Sequence, residues 1–435
     1  MLLAEIVFAS RILGLAAGEQ NIAVQVDAEV RKVEVRHNGE RVAVLREPPW
    51  RTVVDLGPEL MPQELTAVAF DANGYERGRD TQVVNVAHPP AELGILLDRD
   101  AADHVTAGIR WSHFAHEDPI RLVVKLDGRT IGKGKVASKF PLGKVDASQI
   151  HVLGVEATFR EGIRSRKEIV FGGGYSEQLP AELTPVVVRQ RTKGPDAPAS
   201  CFRSEERKLL RATIEQGSGA ALFILNGGRG ATSRNAMPEH REDPLYRIPN
   251  AEIRIVHPVA QLIQHPGGAT RLFDSTVIDG VNGTNRLMKV ARTPYGVARI
   301  ADAIGSAALR ALRGGQRRVI VLVIGHNPAE DHSINSPAVI RRYLERVGVP
   351  FRVWSLTGPR PDLADTWGEV HDVSTAANLI AATEDLRQDL DSQRLAWLPV
   401  APLDAFKVSA TEDCAYVPLA ASVTPPSARA VGSSQ

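Results

Sequence analysis

Ala221-Leu222-Phe223-Ile224-Leu225-Asn226-Gly227-Gly228-Arg229-Gly230 decides the fold of this chain. Its first half is a short, unbroken apolar run, and glycines follow almost at once. Such a strand is covered on both faces, as a central strand of a parallel α/β sheet must be. The polar, glycine-rich residues behind it then fall at the C-terminal edge of the sheet, where open α/β folds bind their ligands.

Downstream, strand and helix signals alternate. Ile253-Arg254-Ile255-Val256 predicts a strand, Tyr295 to Arg313 a helix of small residues, and Val319-Ile320-Val321-Leu322-Val323-Ile324 a second buried strand. Ser336-Pro337 supplies an N-cap and a first-turn proline. The helix they open carries Val339, Ile340, Tyr343, Leu344 and Val347 on one face. Phe351 to Leu356 predicts the next strand, with Trp354 in the core. Thr375 to Arg394 predicts a last helix that buries Leu379, Ile380, Thr383, Leu386 and Leu390. Strands joined by crossover helices imply a doubly wound, mainly parallel sheet over residues 201–400. At its start, Ser204 is placed to cap a helix over Glu205 to Gln216, with the acidic pair Glu205 and Glu206 in the first turn.

The first half of the chain has a different period. Lys32 to Val42 and Leu122 to Ile131 each read as an alternating strand, an Asn-Gly or Asp-Gly turn and a returning strand. A second match follows each, Gln63 to Gly74 against Gln149 to Gly162. Asn38 and Asp127 lie 89 positions apart, the size of one small β-sandwich. Residues 1–88 and 90–178 are therefore expected to be two immunoglobulin-like sandwiches, without the Cys-Trp-Cys pattern of antibody domains. Pro180, Pro185, Pro195 and Pro198 make 179–200 an extended connector, with Val186 to Val188 a candidate strand within it. The Ala-, Ser- and Pro-rich residues 401–435 read as an extended or partly disordered tail.

Composition narrows the function. The chain has 435 residues, 43% hydrophobic and 24% charged, as ordinary globular domains do. A net charge of +1 provides no field for nucleic acid. Cys201 and Cys414 flank the α/β segment and leave two readings open, one disulfide or two buried thiols. No apolar stretch reaches the roughly 20 residues that a membrane-spanning helix needs. Met1 to Gly18 is apolar, but Glu5 and Arg11 interrupt it. It reads better as a first strand, Ile6 to Phe8, than as a signal peptide.

The order of these elements resembles von Willebrand factor A-related proteins of the Acidobacteriota type, with sandwich repeats ahead of the A domain. The resemblance rests on the Ala221 to Gly230 stretch, on Arg317 to Gly325, on Val349 to Ser355 and on Gln393 to Trp397. It implies an exported, non-enzymatic interaction module without a cofactor. In that family the first strand ends in Asp-x-Ser-x-Ser, whose oxygens hold Mg²⁺. Here Asn226, Gly228 and Gly230 stand at those positions, and Gly325-His326 stands where the later strand usually gives Asp-Gly. Thr293 is a loose match to the threonine of the family's middle loop. The implied metal site is thus degenerate, since a hard divalent cation depends on carboxylate charge.

The candidate interaction surface comprises the loop residues Asn226, Arg229 and Thr232, with His326 and Asn327 at the same edge. Trp50, Trp111 and Trp367, on or beside proline-rich and polar loops, are candidate anchors for a partner. Glu330, Asp331 and His332 near His326, and His113 to Asp118, suggest metal clusters, but their spacing fits no standard ligand pattern. Gly172 to Gly174 precedes no helix opening with Lys-Ser/Thr and is a joint, not a phosphate loop. The leading expectation is a scaffolding subunit that binds other proteins and braces a larger, membrane-bound complex from the periplasmic side. The competing readings are a metal-dependent adhesion protein and a hydrolase built on a His/Asp cluster.

Overall fold

The computed structural model describes residues 6–10, 12, 14–26, 30–87, 91–99, 104–113, 118–134, 139–146, 150–159, 164–172, 184–191, 201–215, 220–226, 228–229, 251–265, 268–278, 297–312, 316–325, 327–328 and 330–420. Two compact units result: Met1–Ala87 with Glu182–Leu262 and Arg271–Gln435, and His88–Ala181 with Ile263–Thr270.

The first unit begins with seven strands: β1 (Ile6–Phe8), β2 (Glu19–Val26), β3 (Lys32–His37), β4 (Glu40–Leu45), β5 (Arg51–Asp55), β6 (Gln63–Phe70) and β7 (Glu76–Val84). They form two sheets, β1-β2-β5 and β4-β3-β6-β7, all paired antiparallel. Alternate residues such as Ile22, Val24, Val33, Val35, Leu65 and Ala67 close the core between them. The second unit repeats the plan with β8 (Ala91–Arg99), β9 (His104–His113), β10 (Arg121–Leu126), β11 (Arg129–Gly134), β12 (Lys139–Lys144), β13 (Ile150–Thr158) and β14 (Arg164–Gly172). Its sheets are β12-β9-β8 and β11-β10-β13-β14, in the same order as the first. Asn38-Gly39 and Asp127-Gly128 take positive φ, 49° and 84° in one turn, 48° and 79° in the other. These values are those of the tight hairpin turn that Asn-Gly and Asp-Gly favour.

The chain then makes β15 (Thr184–Gln190), β16 (Phe202–Arg203), β17 (Leu209–Leu210) and β18 (Thr213–Glu215) before the apolar strand β19 (Ala220–Asn226). After β20 (Gly228–Arg229) come β21 (Ala251–His265), β22 (Gly268–Ile278), α1 (Ile300–Ala311), β23 (Arg317–Ile324), β24 (Asn327–Pro328), α2 (Pro337–Val347), β25 (Phe351–Ser355), α3 (Pro361–Trp367), β26 (Val370–Asp372) and α4 (Ala376–Ser392). Last are β27 (Gln393–Leu398), a 3-10 turn (Asp404–Lys407), β28 (Ser409–Ala410) and β29 (Tyr416–Pro418). The main sheet runs β22-β21-β19-β23-β25-β26. From β21 to β26 its neighbours are parallel. One face packs on α1 and α2 through Phe223, Leu225, Ile320 and Leu322, the other on α4 through Leu222, Val321 and Trp354. Every residue of β23 is buried. Residue-level alternation is therefore hidden in this sheet, as the unbroken apolar runs predicted.

Several expectations are corrected. No helix forms over the described part of Glu205 to Gln216: to Glu215 it is the strands β17 and β18 with their turns. Phe202, Leu210, Ala212 and Ile214 share one core with Cys414 and Tyr416, so pairing with β27 and β28 overrides the helical cap signal. Val186 to Val188, the candidate strand within the connector, do form a strand: they belong to β15, hydrogen-bonded to β27 on one side and β29 on the other. Within 401–420 the chain forms the 3-10 turn, β28 and β29. Of the two readings left open for the cysteines, the disulfide is the one present, joining Cys201 to Cys414 across Cα atoms 5.4 Å apart. The helix expected from Tyr295 begins at Ile300. Ile380 is 36% exposed, because Leu379, Thr383, Leu386 and Leu390 already complete the buried stripe of α4.

The first sandwich and the parallel sheet share a core. Leu60, in the β5–β6 loop, is fully buried in the cluster that contains α1 and α2. The Tyr343 hydroxyl on α2 donates to the Asn85 carbonyl at 2.9 Å. Arg342 grips both oxygens of Glu59 at 2.8 and 3.0 Å, and Arg346 adds a bond to Glu59 and one to the Leu60 carbonyl.

Candidate functional site

The sheet order places the strand-order reversal between β19 and β23, since the chain builds β21 and β22 on one side of β19 before crossing to β23 on the other. Ligands of doubly wound sheets bind outside the carboxyl ends of the strands at such a point. Asn226 ends β19 in register with Val323 of β23. The loops that follow are hydrogen-bonded to each other. β20 and β24 form a two-stranded antiparallel ladder, Gly228 opposite Pro328 and Arg229 opposite Asn327. Asn226, Arg229 and Asn327 are thus brought together, while Thr232 and His326 lie outside the described residues, as do Thr293 and the residues between His113 and Asp118.

The acidic residue of this edge has a structural task. α1 has no side-chain cap of its own at Arg299. The Asp331 carboxylate supplies one, accepting from the Ile300 amide at 2.8 Å and the Ala301 amide at 3.2 Å. It also accepts from the Ser333 amide and hydroxyl at 3.0 and 2.6 Å. Asp302 returns the arrangement by accepting from the Ile334 and Asn335 amides at 2.9 and 3.1 Å. The amides and positive dipole end of a helix N-terminus attract an anion, and here a side chain of the same chain fills that role. Sequence spacing missed this cap because it joins residues about 30 positions apart.

These residues do not fit a divalent cation. Gly228 and Gly230 carry no side-chain oxygen, Asn226 carries no charge, and Asp331 is engaged with the helix end. His332 meets Glu330 at 3.6 Å, with both side chains at least half exposed. Among the described residues no group of three His, Cys, Asp or Glu is placed to hold a metal.

The tryptophans expected to be anchors lie elsewhere. Trp367 is 6% exposed, on α3, with its ring 6.2 Å from that of Phe351. No helix was expected here, although Pro361 in its first turn is a local signal that could have marked it. Trp50 and Trp111 are half-buried and pack against the cores of the first and second sandwiches. The Trp111 indole donates to Asp118 at 3.1 Å. A cleft of ≈ 500 Å³ lies beside the outer strand β26, lined by Trp354, His371, Asp372, Asn378 and Asp385. The Asp372 carboxyl is held below its ordinary range by hydrogen bonds from Ser374, and serves the turn into α4.

No protein-family model and no curated protein matches the chain. Among solved structures, it is similar to the fibronectin(III)-like modules of CbhA from Clostridium thermocellum, at 16% identity over 40% of this chain and 97% of that one, with a TM-score of 0.17. The central fibronectin-III array of RIM-binding protein matches at 10% identity over 46% and 81%, with a TM-score of 0.26. The BSP domain of a biofilm associated protein matches at 12% identity over 40% and 30%, with a TM-score of 0.19. The description of the sandwiches stands on their strand order, not on these scores.

Proposed function

We propose that the protein is a non-enzymatic scaffolding subunit that binds other proteins through a von Willebrand factor A-type domain working without a metal. The observation that carries this reading is the closed edge of the parallel sheet. The fold's ligand position lies between loops that pair with each other through β20 and β24, and the nearby helix end is filled by Asp331. The sequence resemblance supports the A-type assignment. So does the placement of β19, the strand that carries the family's loop, in the interior of the sheet.

The Cys201–Cys414 disulfide supports a place in the periplasm or cell envelope, where such bonds persist. No helix among the described residues is long and apolar enough to cross a membrane. The test is an affinity pull-down from native membranes and soluble extract, with and without a chelator. A stoichiometric partner retained under chelation is the expected result. A partner released by chelation, together with thermal stabilisation by Mg²⁺, would return the adhesion reading.

A further inference from the structure

We infer that the cleft between α4 and the outer strand β26 is a binding site for a sugar ring. Its walls are set by strand register and by helical spacing. Trp354 on β25 pairs with His371 on β26, so the two side chains stand together on one face of the sheet. Opposite them α4 presents Asn378, Ala381, Ala382 and Asp385, at i, i+3, i+4 and i+7. The two alanines leave the middle of this stripe short. β26 is the last strand of the sheet among the described residues, and the ≈ 500 Å³ cleft stays unfilled beside it. Sites for small ligands run from roughly 300 to 1,000 Å³.

One buried side chain opens into this space with nothing to bond. Trp354 is 3% exposed. Its indole N–H meets no acceptor among the described residues, and it is not one of the polar atoms sealed from solvent without a partner. The open remnant of the ring is therefore its N–H edge, and the ring lines the cleft. A donor held this way is satisfied by an acceptor that enters.

The neighbours define what carries that acceptor. Asp372 is already engaged by Ser374 and Asn378. The Asp385 carboxylate is exposed, with Arg352 Nε 3.8 Å away, too far for a hydrogen bond. His371 makes no side-chain hydrogen bond or ion pair among the described residues. Tryptophan only donates and a carboxylate only accepts, whereas a hydroxyl does both. An anion would meet the charges of Asp372 and Asp385. A bare cation would leave the indole N–H unmatched and would meet the charge of Arg352. A sugar ring presents adjacent hydroxyls and satisfies both kinds of group at once. The site is separate from the edge at β20 and β24, so its failure would leave the proposed scaffolding role untouched.

Glucose and cellobiose titrated into the ¹⁵N-labelled full chain test it, with lysine methyl ester and sodium acetate as charged controls. The readout is the indole N–H signal of Trp354, assigned by its absence in Trp354→Phe. Calorimetry gives the same affinities without that assignment. The expected result is a saturable shift of the signal by the sugars and not by the controls. Ala381→Phe fills the cleft from an exposed helix position, and Asp385→Ala removes an acceptor. Each is expected to weaken sugar binding at least about tenfold with the thermal midpoint unchanged, which separates lost binding from lost folding. Tighter binding of cellobiose than of glucose would mark a glycan chain as the source, and equal binding a free sugar. No binding of either sugar would overturn the inference. So would a shift by a charged control alone, or sugar binding indifferent to Ala381→Phe.

Discussion

Asn38 and Asp127 do the same work in the two sandwiches. Each turn residue receives one backbone amide from the facing strand, from Glu64 at 2.9 Å and from Val152 at 2.8 Å. Only Asp127 is charged, and it also holds His151 Nδ1 at 2.8 Å. In the first sandwich, His37 meets the uncharged Gln63 instead. The bond between His151 and Asp127 raises the pKa of the histidine and lowers that of the carboxylate. A histidine raised on folding stabilises fully below its unfolded pKa, near 6.5, and that contribution is lost as pH climbs through the folded value. A lowered carboxylate contributes above its unfolded pKa, near 3.9, and loses this on acidification. The turn is therefore firmest between roughly pH 4 and 6.5. An NMR titration of the His151 ring is expected to show a midpoint that falls in Asp127→Asn. An unmoved midpoint would show that the pair is not coupled. This site was half legible: Asn-Gly and Asp-Gly announced the turns, but nothing in the repeat announced which strand would meet them.

The elements that sequence located best are those whose signals are local. The Ser336 hydroxyl accepts from the Val339 amide at 3.4 Å and Pro337 opens α2, as the pair predicted. The Thr375 hydroxyl likewise accepts from the Asn378 amide at 3.2 Å at the start of α4. α1 was harder to place because its cap, Asp331, arrives from a loop beyond the next strand. Asp331→Ala is expected to cost about 1–2 kcal/mol and to speed hydrogen exchange at Ile300 and Ala301 first. Uniform loss of protection across the sheet would instead give Asp331 a wider role. At the far end of α2, Arg318 is buried and donates to the carbonyls of Gly348 and Val347 at 3.0 and 3.2 Å. Desolvation pulls its pKa down to about 10. Gly348 takes φ of 63°, and a Cβ there would stand 2.4 Å from the Ala420 amide. Gly348→Ala thus joins left-handed strain to a clash with backbone. It is expected to release residues 419–420 and expose the β29 amides to exchange while α2 keeps its protection. Loss of α2 protection as well would show that the turn holds the helix, not the tail.

At the scale of the whole molecule, hydrophobic pattern pointed to antiparallel sandwich sheets and a parallel sheet, and gave no sign that the first sandwich and the parallel sheet fall in one compact unit. Contacts between elements far apart in sequence leave little local trace, and Leu60 shows why. It reads as a loop residue beside Pro58 and Pro62, yet it is fully buried among residues of α1 and α2. The Cys201–Cys414 bond shows the same limit, since two cysteines fit equally with buried thiols. It closes a loop of 213 residues, so reduction is expected to cost roughly 5 kcal/mol through the unfolded chain. The Leu60 contact makes the first sandwich and the parallel sheet one cooperative body. Leu60→Ala leaves a cavity in their shared core and is expected to cost about 2–5 kcal/mol. The informative readout is where the loss appears. Hydrogen exchange should quicken in β23 and α2, some 260 to 290 positions away in sequence, as much as in β6. If β6 alone loosens while β23 keeps its protection, the sandwich folds as a separate module. A scaffold would then hold its first sandwich on a hinge and not on a common core.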